Sequence, residues 1–321
     1  MRVQFTTILK FIISAALIAW VFSRVKLAEV GAQLASANPW LFAAALILYL
    51  AAIAVNAAKW RILLVAQGVR IPFAALLEFQ FVGFFFNNFL PNVGGDVMRG
   101  YTLARYTDRT AAAAVSVIVD RIVGFIAYMS TAVIAALVAV NVAGHRDLRA
   151  VEGVALVALG GLAAGFGVLL SRRLRSLIGR VFAWRPLAPL APRWEHVSEA
   201  FNAYRFRYGA LAQAFGVALL GILCTTFVNW SLSQAMGGLM PLPVIFLFNP
   251  LIALVLMIPI SIGGIGVSQT AYPFFFGLGG VPAGHALAVS LLMQLVIILG
   301  SLPGGFFWLR GRRPTARPAG G

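Results

Sequence analysis

The sequence predicts an all-α, polytopic integral membrane bundle in which two broken segments form re-entrant hairpins arranged as an inverted repeat. Composition is the first observation. Of 321 residues, 61% are hydrophobic and 11% charged, mean hydropathy is +0.92, and apolar runs approach the ~20 residues a helix needs to cross a ~30 Å hydrocarbon core. A water-soluble domain is excluded. The second observation is a pair of breaks, Asn88-Phe89-Leu90-Pro91-Asn92-Val93-Gly94-Gly95-Asp96 and Ile258-Pro259-Ile260-Ser261-Ile262-Gly263-Gly264-Ile265-Gly266. Helices do not run easily through proline and paired glycine, so both mark irregular backbone at membrane depth, tolerated only inside protein or beside a water-filled cavity. Paired breaks in two halves of a membrane protein point to a transport site. The third observation is the placement of basic residues, which sets the orientation.

In chain order, Arg2 and Lys10 flank an apolar run reaching Phe22, and Ala35-Ser36-Ala37 resembles a signal cleavage site. Arg24, Lys26 and Glu29 separate that site too far from the run, which is therefore read as a retained span over 5–22. Further spans are predicted at 40–58, 112–140, 153–170, 210–233 and 285–309, with short segments at 74–90 and 243–278. Six full spans starting inside leave both termini cytoplasmic. The inner segments then carry Lys59, Arg61, Arg70, Arg99, Arg105, Arg109, the arginines from Arg172 to Arg207 and those of the tail. Arg24, Lys26, Arg146 and Arg149 fall outside, and Arg121 lies within a span. The net charge of +16 thus reports orientation, not nucleic-acid binding.

Basic residues on both flanks of 74–98 predict a hairpin that enters from the cytoplasm and turns between Pro91 and Gly95. The second segment has no Lys or Arg on its flanks, Gln234 to Pro243 and Gly277 to Gly284. It reads as a hairpin dipping in from outside, with arms 244–258 and 265–278 too short to cross at ~1.5 Å per residue. Two ordinary kinked spans also accommodate the prolines and glycines, but leave 99–109 harder to place. Leu302-Pro303-Gly304-Gly305 reads as a kink in the last span. The hydrophilic stretch 171–209 is too short for a catalytic domain. Its stripe of Trp194, Val197, Phe201, Tyr204 and Tyr208 suits a helix lying on the anionic inner leaflet, or one packed on the inner ends of the bundle. Residues 1–309 therefore read as a single transmembrane domain, and 310–321 as a basic cytoplasmic tail.

The site is sought among polar residues that lipid would penalise. An ionised group at the depth of Asp120 and Arg121 costs roughly 2.5–3.5 kcal/mol on insertion scales, so both should face the interior. Neighbouring helical positions point ~100° apart, so each needs another partner. Arg121 suits a lipid phosphate and Asp120 suits Arg99 or backbone donors; a buried network fastening this span to the first hairpin is the alternative. Asp96 suits a helix cap, and Arg99 a bidentate phosphate contact. Asn87 and Asn88 belong in a cavity or a helix contact. Across from them Ser261, Gly263, Gly264, Gly266, Ser268 and Gln269 offer uncharged hydrogen bonds. Asn229, Trp230, Ser231, Ser233 and Gln234 suit an exit path or helix contacts.

Catalytic machinery is sparse. Cys224 is the sole cysteine, His145, His196 and His285 are scattered, and no phosphate-binding loop of the ATPase kind occurs. No catalytic residue, metal site or cofactor is predicted. A membrane-embedded transferase or hydrolase would have to use Asp96 with Asp120, the one candidate carboxylate pair among nine acidic residues. A lipid transporter is the favoured reading, and an accessory subunit with no substrate of its own the third. The partners expected are membrane lipids and lipid-biosynthesis enzymes, and not nucleic acid.

The run from Asn87 to Arg99, the in-span Asp120-Arg121, and Pro259 with Gly263-Gly264-Ile265-Gly266-Val267 resemble the transmembrane domain of the lysylphosphatidylglycerol synthase/flippase superfamily. The resemblance covers nearly the whole chain. In two-part members this domain moves an aminoacylated phospholipid to the outer leaflet, and a cytosolic acyltransferase-like domain makes it. The resemblance implies a flippase-like protein of the bacterial cytoplasmic membrane, here without the synthase half because the chain ends soon after Arg312-Arg313-Pro314. The family pattern carries an acidic residue after the second glycine motif, where this chain has Ser268-Gln269.

Overall fold

The structure, a computed structural model, describes residues 27–88, 94–141, 149–171, 201–257, 261 and 263–310, with isolated positions between 173 and 198. The predicted first span 5–22, Pro91, Pro259, most of the loop 171–209 and the tail beyond Arg310 lie outside the described residues.

Ten helices are described: α1 (Leu27–Ala35), α2 (Pro39–Ala66), α3 (Phe73–Asn87), α4 (Gly94–Thr107), α5 (Thr110–Asn141), α6 (Arg149–Leu170), α7 (Tyr208–Ala235), α8 (Leu242–Met257), α9 (Val267–Leu278) and α10 (Ala283–Leu309). Asn38 starts α2 by accepting the N–H groups of Trp40 at 2.9 Å and Leu41 at 3.4 Å. Pro39, which lacks an N–H, occupies the first turn where none is needed. α2, α5, α7 and α10 each contain a stretch long and apolar enough to cross a membrane.

The helices repeat. A long helix, two short ones and a long one run through α2 to α5 with 28, 15, 14 and 32 residues. The same order recurs in α7 to α10 with 28, 16, 12 and 27 residues. The leading helices α2 and α7 pack antiparallel: Asn38 N–H donates to the Ala235 carbonyl at 2.8 Å at one end. Near the other end the Tyr204 hydroxyl donates to the Leu63 carbonyl at 3.0 Å. Contacts follow the repeat, since α3 packs on α4 and on α10 while α8 packs on α9 and on α5. Each hairpin is thus clasped by the last helix of the opposite half.

Both short pairs are antiparallel helical hairpins. In the first, Phe79 meets Tyr106 with ring centroids 5.6 Å apart, and nearer the turn Asn87 Oδ1 accepts the Gly95 N–H at 3.0 Å. In the second, Phe248 packs on Phe275 and Phe276, each at 6.4 Å. The two turns touch. A methyl group on Gly263 would stand 3.2 Å from the Asn88 carbonyl oxygen, and Gly263 has φ +60°, so its lack of a side chain serves both the turn and the approach.

Helix α10 runs unbroken through Pro303. A Cβ on Gly304 would overlap the Phe81 backbone of α3, and one on Gly305 would lie 2.7 Å from the Phe85 ring. This motif is a seat for the first hairpin rather than merely a kink. Phe201 and Tyr204, at the end of the hydrophilic loop, are buried against Leu63, Val115, Val119 and Ala214. For these two residues the stripe packs on the bundle, while Phe206 and Tyr208 stay exposed.

Candidate functional site

Where the hairpin turns meet, a cavity of about 380 Å³ opens among α2, α3, α4 and α5. Leu256 of α8, Gly263 and Gly264 of the second turn, and Ile297 of α10 complete its wall. Among the described residues five charged side chains run through it in alternating sign. Lys59 Nζ lies 3.2 Å from Asp120 Oδ1, and Asp120 Oδ2 accepts from Arg99 Nη2 at 2.9 Å. Arg99 also reaches Asp96 Oδ1, from Nε at 2.9 Å and Nη2 at 2.8 Å, and Arg121 Nη1 pairs with Asp96 Oδ2. Three cations therefore face two carboxylates.

The elements explain the placement. Arg99 sits on α4 directly after the first turn, and that helix faces α5, which carries Asp120 and Arg121. The guanidinium of Arg99 donates Nη1 to Gln80 Oε1 at 3.2 Å and lies 5.0 Å from the Trp60 ring centroid, so every direction around it is occupied. It is only 5% exposed. The Arg121 side chain is 28% exposed, the most of the five, and its guanidinium lies 5.5 Å from the Phe125 ring centroid. Gly83 permits this density: a Cβ there would sit 3.1 Å from the Gly95 carbonyl and 3.4 Å from Arg99 Cβ.

Of the residues singled out from the sequence, Asn87, Asn88, Gly95, Asp96, Arg99, Asp120, Arg121, Gly263 and Gly264 line the cavity. Capping falls differently from expectation. Asn87 takes the Gly95 N–H, while both carboxylate oxygens of Asp96 receive guanidinium groups. Gly94 begins α4 and is outside the lining. Asn88 Nδ2 donates to Ser301 Oγ at 2.7 Å, tying the first turn to α10.

Of the uncharged group, Gly266 has φ +86° and donates its N–H to Gln269 Oε1 at 2.7 Å. This bond shapes the start of α9. Ser261, Ser268 and Gln269 are buried but outside the cavity lining. Asn229 belongs to a separate buried network, receiving the Tyr272 hydroxyl at 2.8 Å and donating to Asn249 Oδ1 at 3.1 Å. Asn249 in turn donates to Thr226 Oγ1 at 3.0 Å. These contacts join α7, α8 and α9.

Sequence reasoning missed Lys59, Gln80, Tyr49, Asn56 and Tyr128, all in the cavity wall. A signal existed for part of the set, because Tyr49, Asn56 and Lys59 recur at helical spacing on one face of α2. Ending the span at 58 turned Lys59 into a flanking charge, whereas α2 continues to Ala66.

Fold and cavity together define a polytopic helical membrane protein with a charged cavity between two helical hairpins. Residues 7–304 match the family model of the lysylphosphatidylglycerol synthase TM region, and the chain belongs to that family. It is thereby a membrane protein of a lipid-related family. Comparison with curated proteins gave no match.

Proposed function

We propose that the protein is a flippase-like transporter that passes an anionic or polar-headed lipid between leaflets, headgroup in the cavity and acyl chains in the bilayer. The carrying observation is the excess of one cation in the chain Lys59, Asp120, Arg99, Asp96 and Arg121. A lipid phosphate balances it. A net positive charge among the described residues at this depth gives a phosphate binding energy that a neutral headgroup lacks. Arg99 is enclosed by the partners described above, so it holds the site together, while the more exposed Arg121 meets the phosphate.

On this reading the hairpins are re-entrant, the first from the cytoplasmic side and the second from outside, with both termini and the loop 171–209 in the cytoplasm. The residue-poor turns at Gly263 and Gly264 supply the thin partition that alternating access needs. Residues 1–309 form the transporting unit in a bacterial cytoplasmic membrane, and enzymes of lipid synthesis supply the substrate.

Reconstitution tests this directly. Vesicles carrying the protein and a headgroup-labelled phosphatidylglycerol should expose inner-leaflet label to an impermeant quencher faster than protein-free vesicles. Equal rates, with the protein shown to be folded and inserted, would contradict transport of this lipid class.

A further inference from the structure

A second recess lies away from the charged cavity, between the end of α2 and the start of α7. Its volume is about 640 Å³, and it is lined by Arg61, Ile62, Val65, Ala66, Phe206, Arg207, Gly209, Ala210 and Gln213. Among the described residues two cations line it and no acidic residue does. Among the described residues neither arginine has a carboxylate partner. Phe206 is 73% exposed and Val65 48%.

We propose that this recess is a binding site for an anionic phospholipid of the membrane leaflet at this end of the bundle, separate from the central cavity and independent of the transport reading. Charge selects the headgroup. Two guanidinium groups without a carboxylate partner among the described residues can hold one phosphodiester with planar, directed donors. The exposed Phe206 and Val65 select a lipid over a soluble phosphate, because they offer acyl chains an apolar wall where a free anion would gain nothing. Position agrees: the recess lies between the last turns of α2, which ends at Ala66, and the first turns of α7, and basic pockets between transmembrane helices near their ends hold lipid headgroups.

The wall of the recess is anchored. Tyr204, two residues before Phe206, is buried and bonded to the Leu63 carbonyl, and Arg205 stacks on the Phe206 ring at 4.7 Å. The two arginines therefore stand on backbone already fixed by packing, so little ordering is needed when a lipid arrives.

Native mass spectrometry of the delipidated, detergent-solubilised protein tests the site by titration with phosphatidylglycerol and, in parallel, phosphatidylcholine. The expected result is a phosphatidylglycerol adduct that R61Q/R207Q weakens by on the order of tenfold or more. Phosphatidylcholine binding should not change between the two proteins. R61K/R207K retains the charge but not the planar donors and should recover part of the affinity, and Phe206→Ser should weaken phosphatidylglycerol without altering the response to inorganic phosphate. Both arginines are exposed, so an unchanged melting temperature in all three variants is expected and is measured alongside. Equal phosphatidylglycerol affinity in wild type and R61Q/R207Q would overturn the proposal, as would equal loss of phosphatidylcholine. If R61Q/R207Q melts early, failure of the well-folded R61K/R207K and Phe206→Ser variants to follow the stated pattern overturns it equally.

Discussion

Asp120 is the residue on which the charged chain turns, since it lies between Lys59 and Arg99 and is buried with both. Asparagine at this position leaves two buried cations sharing one fewer carboxylate. Removing one member of a buried pair costs about 3–5 kcal/mol, because the remaining charge is stranded. Asp120→Asn should therefore lower the melting temperature sharply, and adding Lys59→Gln should restore part of it. A thermal-shift measurement on the two single variants and the double variant checks this. Additive losses would mean that Lys59 and Asp120 do not act as a pair. Asp120, Arg121, Arg99 and Asp96 were legible from sequence because charge at membrane depth is rare. Lys59 was not, because a lysine near a helix end is indistinguishable in sequence from one that snorkels to the interface. The role of Asp96 was misread for a related reason: a carboxylate after paired glycines suits a cap, and only the fold brings two guanidinium groups to it.

At the scale of helices, small residues decide how closely the hairpins sit. Gly304 lets α3 lie against α10 with backbone contact, and Gly300 leaves room for the Tyr49 ring. Gly304→Val should force α3 away and destabilise by about 1–3 kcal/mol, as overpacking does. Gly277→Ala, where nothing lies within 4 Å of the added methyl, should leave stability unchanged or slightly raised. Thermal melting of both variants in the same detergent separates a packing seat from a general intolerance of change. The hairpins were readable because proline and glycine break helices wherever they cluster. The Pro303-Gly304-Gly305 motif shows the limit of that rule. In α10 the helix continues, and its glycines serve a neighbour which the local sequence does not reveal.

At the scale of the molecule, two antiparallel halves exchange clasps, α3 against α10 and α8 against α5. The fold class and the helix order followed from hydropathy and helix breakers, since lipid restricts a spanning chain to few solutions. The two turns meet at Asn88 and Gly263, a contact between residues far apart in sequence that becomes visible only in the folded chain. The recess at Arg61 and Arg207 was invisible, because two arginines far apart in sequence declare nothing until α2 and α7 pair.

The excess cation in the central cavity is most directly tested by lipid movement and melting temperature measured on the same preparations of wild type, Arg121→Gln and Arg99→Gln. Arg121→Gln should abolish transport of labelled phosphatidylglycerol with little change in melting temperature, and Arg99→Gln should lose stability and transport together. Normal transport by folded Arg121→Gln would contradict phosphate binding at this site.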